Sequence, residues 1–179
     1  MRFARLLVLL VPACLPTEPA AVPDATVDGA APRDAAREAG VAPSVELATG
    51  ARAWHELPAD GSGRAEVVFG PQGGYHIFGR VRIRGIEPNV TLRFRVTSPD
   101  GARVLTDDRD TIRRVLGRGL AAADGGVYES TSGELVILQI RDPMDVVGRP
   151  WRMQVQVAPA DQSAPVTAER PLTLVDDEP

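Results

Sequence analysis

Two histidines, a handful of acids and a row of arginines are the residues of this chain that could do chemistry. His55 and His76 are the only histidines, and no His-x-His or His-x-x-x-His spacing occurs. A metal centre or an acid–base pair would therefore have to draw its remaining groups from distant segments. His76 follows Gly70-Pro71-Gln72-Gly73-Gly74-Tyr75. Glycines at 70, 73 and 74 permit a tight turn or bulge that aims the imidazole. Two readings follow: a ligand point made by Gln72, Tyr75 and His76, with His55 as a further candidate, or a turn whose histidine bonds a neighbour on a polar strand face. The second is preferred. A phosphate loop is excluded, since neither a helix start nor a Lys-Ser/Thr pair follows.

Arg80, Arg82 and Arg84 share one parity, and Arg93 and Arg95 share one parity of the next apolar alternation. A hairpin at residues 85–89 would bring all five onto one exposed face, where like charges opposite one another are destabilising. Either Asp and Glu on adjoining strands compensate them, which is the preferred reading, or an anionic partner does: a polysaccharide, a lipid headgroup or an acidic protein. Asp107, Asp108, Asp110, Asp142 and Asp145 lack the ordered spacing of a calcium loop. There is no Gly-x-Ser-x-Gly elbow and no His-Glu-x-x-His helix. A non-catalytic protein without a cofactor is expected; the alternative is a small metal-handling protein or hydrolase using His76 and nearby acids.

The elements that must position these residues fall into three segments. Met-Arg-Phe-Ala-Arg precedes an unbroken apolar run from Leu6 to Val11, and small Ala13 precedes Cys14. This is a signal-peptide layout over residues 1–13, far short of the roughly 20 apolar residues of a membrane-spanning helix. Val11-Pro12-Ala13-Cys14 resembles the lipobox of bacterial lipoproteins, although Pro12 departs from the usual residue there. The resemblance implies lipidation of Cys14, and Leu15, not being Asp, favours the outer membrane. Cys14 is the only cysteine of the 179 residues, so no internal disulfide is expected. Residues 15–43 are rich in Ala, Pro and acids and contain no aromatic residue, the composition of a disordered tether. It would reach roughly 30 Å as a coil and at most about 90 Å extended. All 20 basic residues are arginines, and the net charge is −4. Loss of the leader removes two arginines and no acid, making the mature chain more acidic still, so nucleic acid is not an expected partner.

From Ser44 to Pro179 the texture is that of short antiparallel strands. Val90, Leu92, Phe94 and Val96 alternate with Thr91, Arg93, Arg95 and Thr97. Trp151, Met153, Val155 and Val157 alternate with Arg152, Gln154 and Gln156. Residues 135–140 are apolar on both parities, as a central strand would be. Weaker strand candidates are residues 45–49, 53–57, 65–69, 103–106, 127–130 and 172–175, with turns at Ser98-Pro99-Asp100-Gly101 and Asp124-Gly125-Gly126. Residues 110–116 are the one helix candidate, with Ile112, Val115 and Leu116 on a shared face. These features predict a β-sandwich of about seven to nine strands, immunoglobulin-like or fibronectin-like, with a jelly roll as the alternative.

The stretch from Gly70 to Phe78, and the one from Gly148 to Val157, resemble segments of uncharacterised lipoproteins of GC-rich Gram-negative bacteria. That resemblance implies an immunoglobulin-like domain in a lipid-anchored envelope protein. It implies no activity.

Overall fold

The structure, a computed structural model, describes residues 41–176 apart from Gln72. The leader, Cys14, the tether up to residue 40 and Gln72 lie outside the described residues. Eleven strands run in chain order: β1 (Ser44–Thr49), β2 (His55–Glu56), β3 (Arg64–Phe69), β4 (Tyr75–Arg84), β5 (Asn89–Thr97), β6 (Ile112–Leu116), β7 (Gly119–Ala123), β8 (Val127–Ser130), β9 (Glu134–Leu138), β10 (Pro150–Pro159) and β11 (Val166–Asp176).

Their pairing defines two layers. In the first, β4 is the centre. Arg82 lies opposite Glu46 of β1 and opposite Glu129 of β8, so these strands flank its two edges; β9 continues the line of β8 along Tyr75 to Gly79, and β7 pairs with β8. In the second layer the order is β3, β11, β10, β5 and β6, antiparallel except for the parallel β3 and β11 pair. This is an immunoglobulin-like sandwich in which the first edge strand is divided, β1 serving one sheet and β3 the other. The layers are stitched at both sides, by Val68 and Phe69 of β3 against His76 and Tyr75 of β4, and by a short parallel contact of β6 with β7. The strand count exceeds seven to nine because the first edge strand is divided into β1 and β3, the short β2 folds back on β1, and the line of β8 and β9 is broken by a bend.

The core forms where the alternations meet. Ile77, Val81 and Ile83 of β4 face Leu92, Phe94 and Val96 of β5 and Met153, Val155 and Val157 of β10, all buried. Each such side chain contributes roughly 1.5 to 3 kcal/mol through removal from water. Gly79 occupies the one inward position of β4 without a side chain, and a Cβ there would lie 2.6 Å from the Phe94 ring and 2.7 Å from the Met153 methyl. The facing side chains of the second sheet occupy the space that a side chain at 79 would need. Trp151 is buried at the other end of β10 and donates its indole N–H to the Val146 carbonyl at 2.9 Å.

Three expectations are corrected. Residues 110–116 are not a helix: Ile112 to Leu116 form β6, whose Ile112 and Val115 pair with Leu92 and Asn89. An unpaired outer edge of β5 would leave backbone donors and acceptors without partners, and that demand outweighs a weak helical spacing. Residues 135–140 are not a central strand: β9 borders β4 alone among the described strands, and Leu135 and Ile137 are 56% and 49% exposed. Finally, β4 and β5 are not a hairpin. Residues 85–88 carry the chain from one sheet to the other, with Ile86 buried on the way.

The alternation on β5 makes a direct prediction. Phe94→Ala should destabilise the domain by about 3 to 5 kcal/mol and Arg93→Ala by less than about 0.5 kcal/mol. Urea unfolding of the two variants measures the difference, and equal midpoints would reverse the assignment of inward and outward faces.

Candidate functional site

The glycine-rich turn leads into β4 as the sequence indicated. Gly70 donates to the Gly74 carbonyl at 2.9 Å and Gly73 to the Gly70 carbonyl at 3.0 Å, and Gly73 and Gly74 take φ of 82° and 92°. Only glycine adopts that left-handed backbone without strain. The turn covers His76 rather than presenting it: a Cβ on Gly70 would sit 3.3 Å from the imidazole Nδ1. The ring meets Phe78 edge-on at 5.1 Å, and Ile137 lies opposite it on β9. Burial holds the imidazole below its ordinary pKa. Tyr75 points to the other side of β4 and packs edge-on against Phe69 at 5.2 Å. His76 and Tyr75 thus sit back to back. Lone His55 is exposed on β2, beside an open cleft of about 510 Å³ that it lines with Arg64, Glu66, Phe78 and Asp176.

The acids are occupied locally. The Asp107 carboxylate accepts from the Arg109 N–H and that of Asp142 from the Met144 N–H, both at 2.9 Å, while Asp108 faces Arg95. Among the described residues no three His, Cys, Asp or Glu side chains are placed to hold a metal ion. The reading that gathers His76 with nearby acids has no geometric support there.

The five arginines are divided between opposite faces of the sandwich, because β4 and β5 belong to different sheets. Arg80 is buried, although its position faces outward from the first layer. It donates to the Arg52 carbonyl at 2.9 Å, the Ser130 carbonyl at 2.6 Å and Glu129 at 3.2 Å. Arg82 donates to the same carboxylate at 2.7 Å and stacks over Trp54 at 3.9 Å. The segment between β1 and β2 is thereby folded down over the outer face of β4. Arg84 is exposed. On the second sheet Arg93 is exposed and Arg95 lies 3.6 Å from Asp108. Compensation by acids of adjoining segments therefore holds for Arg80, Arg82 and Arg95.

Sequence reasoning passed over one ion pair of consequence. Glu134, buried at the start of β9, receives Arg114 of β6. Both residues occupy inward positions, so the pair closes the side of the sandwich where β9 ends one sheet and β6 the other. An acid next to an apolar run reads as the end of a strand, and only the cross-layer placement reveals its partner.

The fold and these sites define an immunoglobulin-like sandwich whose charged residues mainly hold its own surface together. No family model and no curated protein matches the chain. Among solved structures it is similar to the CooA pilin subunit from enterotoxigenic Escherichia coli, at 13% identity and a TM-score of 0.36, the likeness covering 75% of this chain and 99% of that one. The fold class accordingly rests on the strand pairing.

Two measurements test these assignments. Arg80→Ala should cost about 2 to 4 kcal/mol, since it strands the buried Ser130 carbonyl and takes from Glu129 one of its two arginines, whereas Arg84→Ala should cost less than about 0.5 kcal/mol. Equal thermal midpoints would remove Arg80 from the framework. For His76, a depressed pKa means that the unfolded chain binds a proton the folded chain resists. The stabilisation from neutral His76 is complete above about pH 6.5 and is lost as the pH falls below that value. Between about pH 7.5 and 5.5 the urea midpoint of His76→Gln should accordingly fall less than that of the wild type; parallel losses would show an imidazole that protonates freely.

Proposed function

We propose that the chain is a lipid-anchored, non-catalytic module of the bacterial cell envelope, held at the outer membrane through Cys14 and meeting its partner through a flat face of the sandwich. The observation that carries this reading is the disposition of the polar side chains. Arg80 and Arg82 both bind Glu129 across strands, Arg114 binds Glu134, and the acids Asp107 and Asp142 cap their own turns. His76, the group most suited to acid–base work, is walled by Gly70, Phe78 and Ile137. A protein that works by contact needs strands whose polar side chains are mostly held by one another, and these are, the Nε atoms of Arg80 and Arg95 being the buried exceptions among the described residues. The lipobox resemblance of Val11 to Cys14 supports the anchor, and the acidic Ala/Pro segment behind it supports a spacer.

Cys14→Ala should move the protein from the membrane to the soluble fraction, with the circular dichroism of the domain unchanged. Several acyl chains anchor a protein stably where one binds marginally. Retention of the variant in membranes after a high-salt wash would overturn anchoring through this residue.

A further inference from the structure

We propose that the outer face of the sheet formed by β6, β5, β10 and β11 docks a linear anionic polysaccharide along a diagonal ladder of four arginines. This deepens, and rests on, the reading of the chain as a contact module. The ladder follows from the register. Arg113 of β6 lies opposite Thr91, on the same face of β5 as Arg93 and Arg95, and Arg152 of β10 lies opposite Thr97. With strands about 4.8 Å apart and successive same-face residues about 7 Å apart, the Cα atom of each arginine is set roughly 7 to 8 Å from the next along a stepped line crossing three strands. Two of the four were not singled out from the sequence, because Arg113 and Arg152 join Arg93 and Arg95 only through pairing.

Their charge is available to a partner. Arg93 is exposed and has no acidic neighbour within ion-pair distance among the described residues, and Arg113 donates to the neutral Asn89 Oδ1 at 3.3 Å. Arg95 and Arg152 face Asp108 at 3.6 Å and Glu169 at 3.0 Å, with side chains 43% and 50% exposed. Ion pairs so solvated contribute little and exchange readily for an external anion. The outer face of β4 differs in this respect, since Arg80 is buried and Arg82 bound.

What lies between the arginines selects the class of polyanion. Gln154 stands opposite Arg95 and Gln156 opposite Arg93, with Thr91 and Thr97 at the ends, so amides and hydroxyls alternate with positive charge. A chain of sugars bearing carboxylates and hydroxyls in turn matches that alternation. Of the exposed large apolar residues, Phe69, Leu135 and Ile137 belong to strands outside this face, and Val104, opposite Thr97, stands at its end without an aromatic companion. A membrane surface takes apolar side chains into the lipid, and single-stranded nucleic acid takes aromatic rings between its bases. This face offers no aromatic ring and no cluster of apolar side chains, and a sugar chain presents hydroxyls to the glutamines at every residue between its charges.

The test uses the intact chain in detergent on immobilised polygalacturonate. The wild type should be retained at low ionic strength and released as salt rises, because exposed charges are screened over roughly 8 Å at physiological ionic strength. The double variant Arg93→Glu, Arg113→Glu should bind at least about tenfold more weakly with an unchanged thermal midpoint, while Arg84→Glu, on the opposite face, should bind like the wild type. Should the double variant unfold, Arg93→Gln supplies the same comparison without charge reversal. Flow-through of the wild type, equal retention of the double variant, or equal loss in Arg84→Glu overturns the proposal. Competition by polyglutamate or by glycerol phosphate as effective as that by free polygalacturonate overturns it in favour of an acidic protein or a lipid headgroup. Flow-through by a protein that still fractionates with membranes rejects the polysaccharide and leaves the anchored module standing.

Discussion

Every backbone N–H and C=O of a strand flanked on both edges must find a partner, and β4 meets that demand with four strands, β1 and β3 along one side and β8 and β9 along the other. The rest of the architecture depends on it. Because two short strands share each edge, a break is forced opposite the middle of β4, and the side chains that fill those breaks are polar. The Arg80 guanidinium and the Ser130 hydroxyl sit at one of them, the hydroxyl accepting from the Val81 N–H at 3.0 Å. The buried charge is thus a consequence of interrupted pairing rather than of a ligand. Its hydrogen bonds replace those that a continuous strand would have made.

Closure follows the same logic on the opposite side. A two-layer sandwich exposes its interior wherever strands of one sheet have no counterpart in the other. Between β9 and β6 the gap is spanned by Glu134 and Arg114 rather than by more apolar residues. A buried carboxylate needs a fixed partner, so this closure also fixes how far β6 can shift along β5. Gly79 sets the spacing at the centre, where the sheets come too close for a methyl group.

Much of the fold was legible, and most of the candidate site was not, for one reason. Alternation is a local property, and on β5 and β10 it reports correctly which side chains are buried, while on β4 His76 and Arg80 of the outward parity are buried as well. It contains no term for the partner strand. Arg82 and Arg93 therefore looked like neighbours across a hairpin, whereas the chain between them crosses to the other sheet. Strand β7, Gly-Leu-Ala-Ala-Ala, has almost no strand propensity and exists because β8 pairs with it. Ile112, Val115 and Leu116 fit a helical face as well as a strand, and the free edge of β5 decided between them. The burial of His76 could not be read from its position after a glycine-rich turn, since the same turn is able to expose a side chain or to cover it.

The parallel pairing of β3 with β11 joins Arg64, in the third strand, to Thr173, in the last of the described strands. Loop closure of that length must precede the contacts that reward it, which places this sandwich among slow-folding topologies. A chain threaded outward from its N-terminus cannot complete the second sheet until its last strand has emerged. Without β11, β3 and β10 would each be left with an unpaired edge, so the last of the described strands is the one that locks the second sheet.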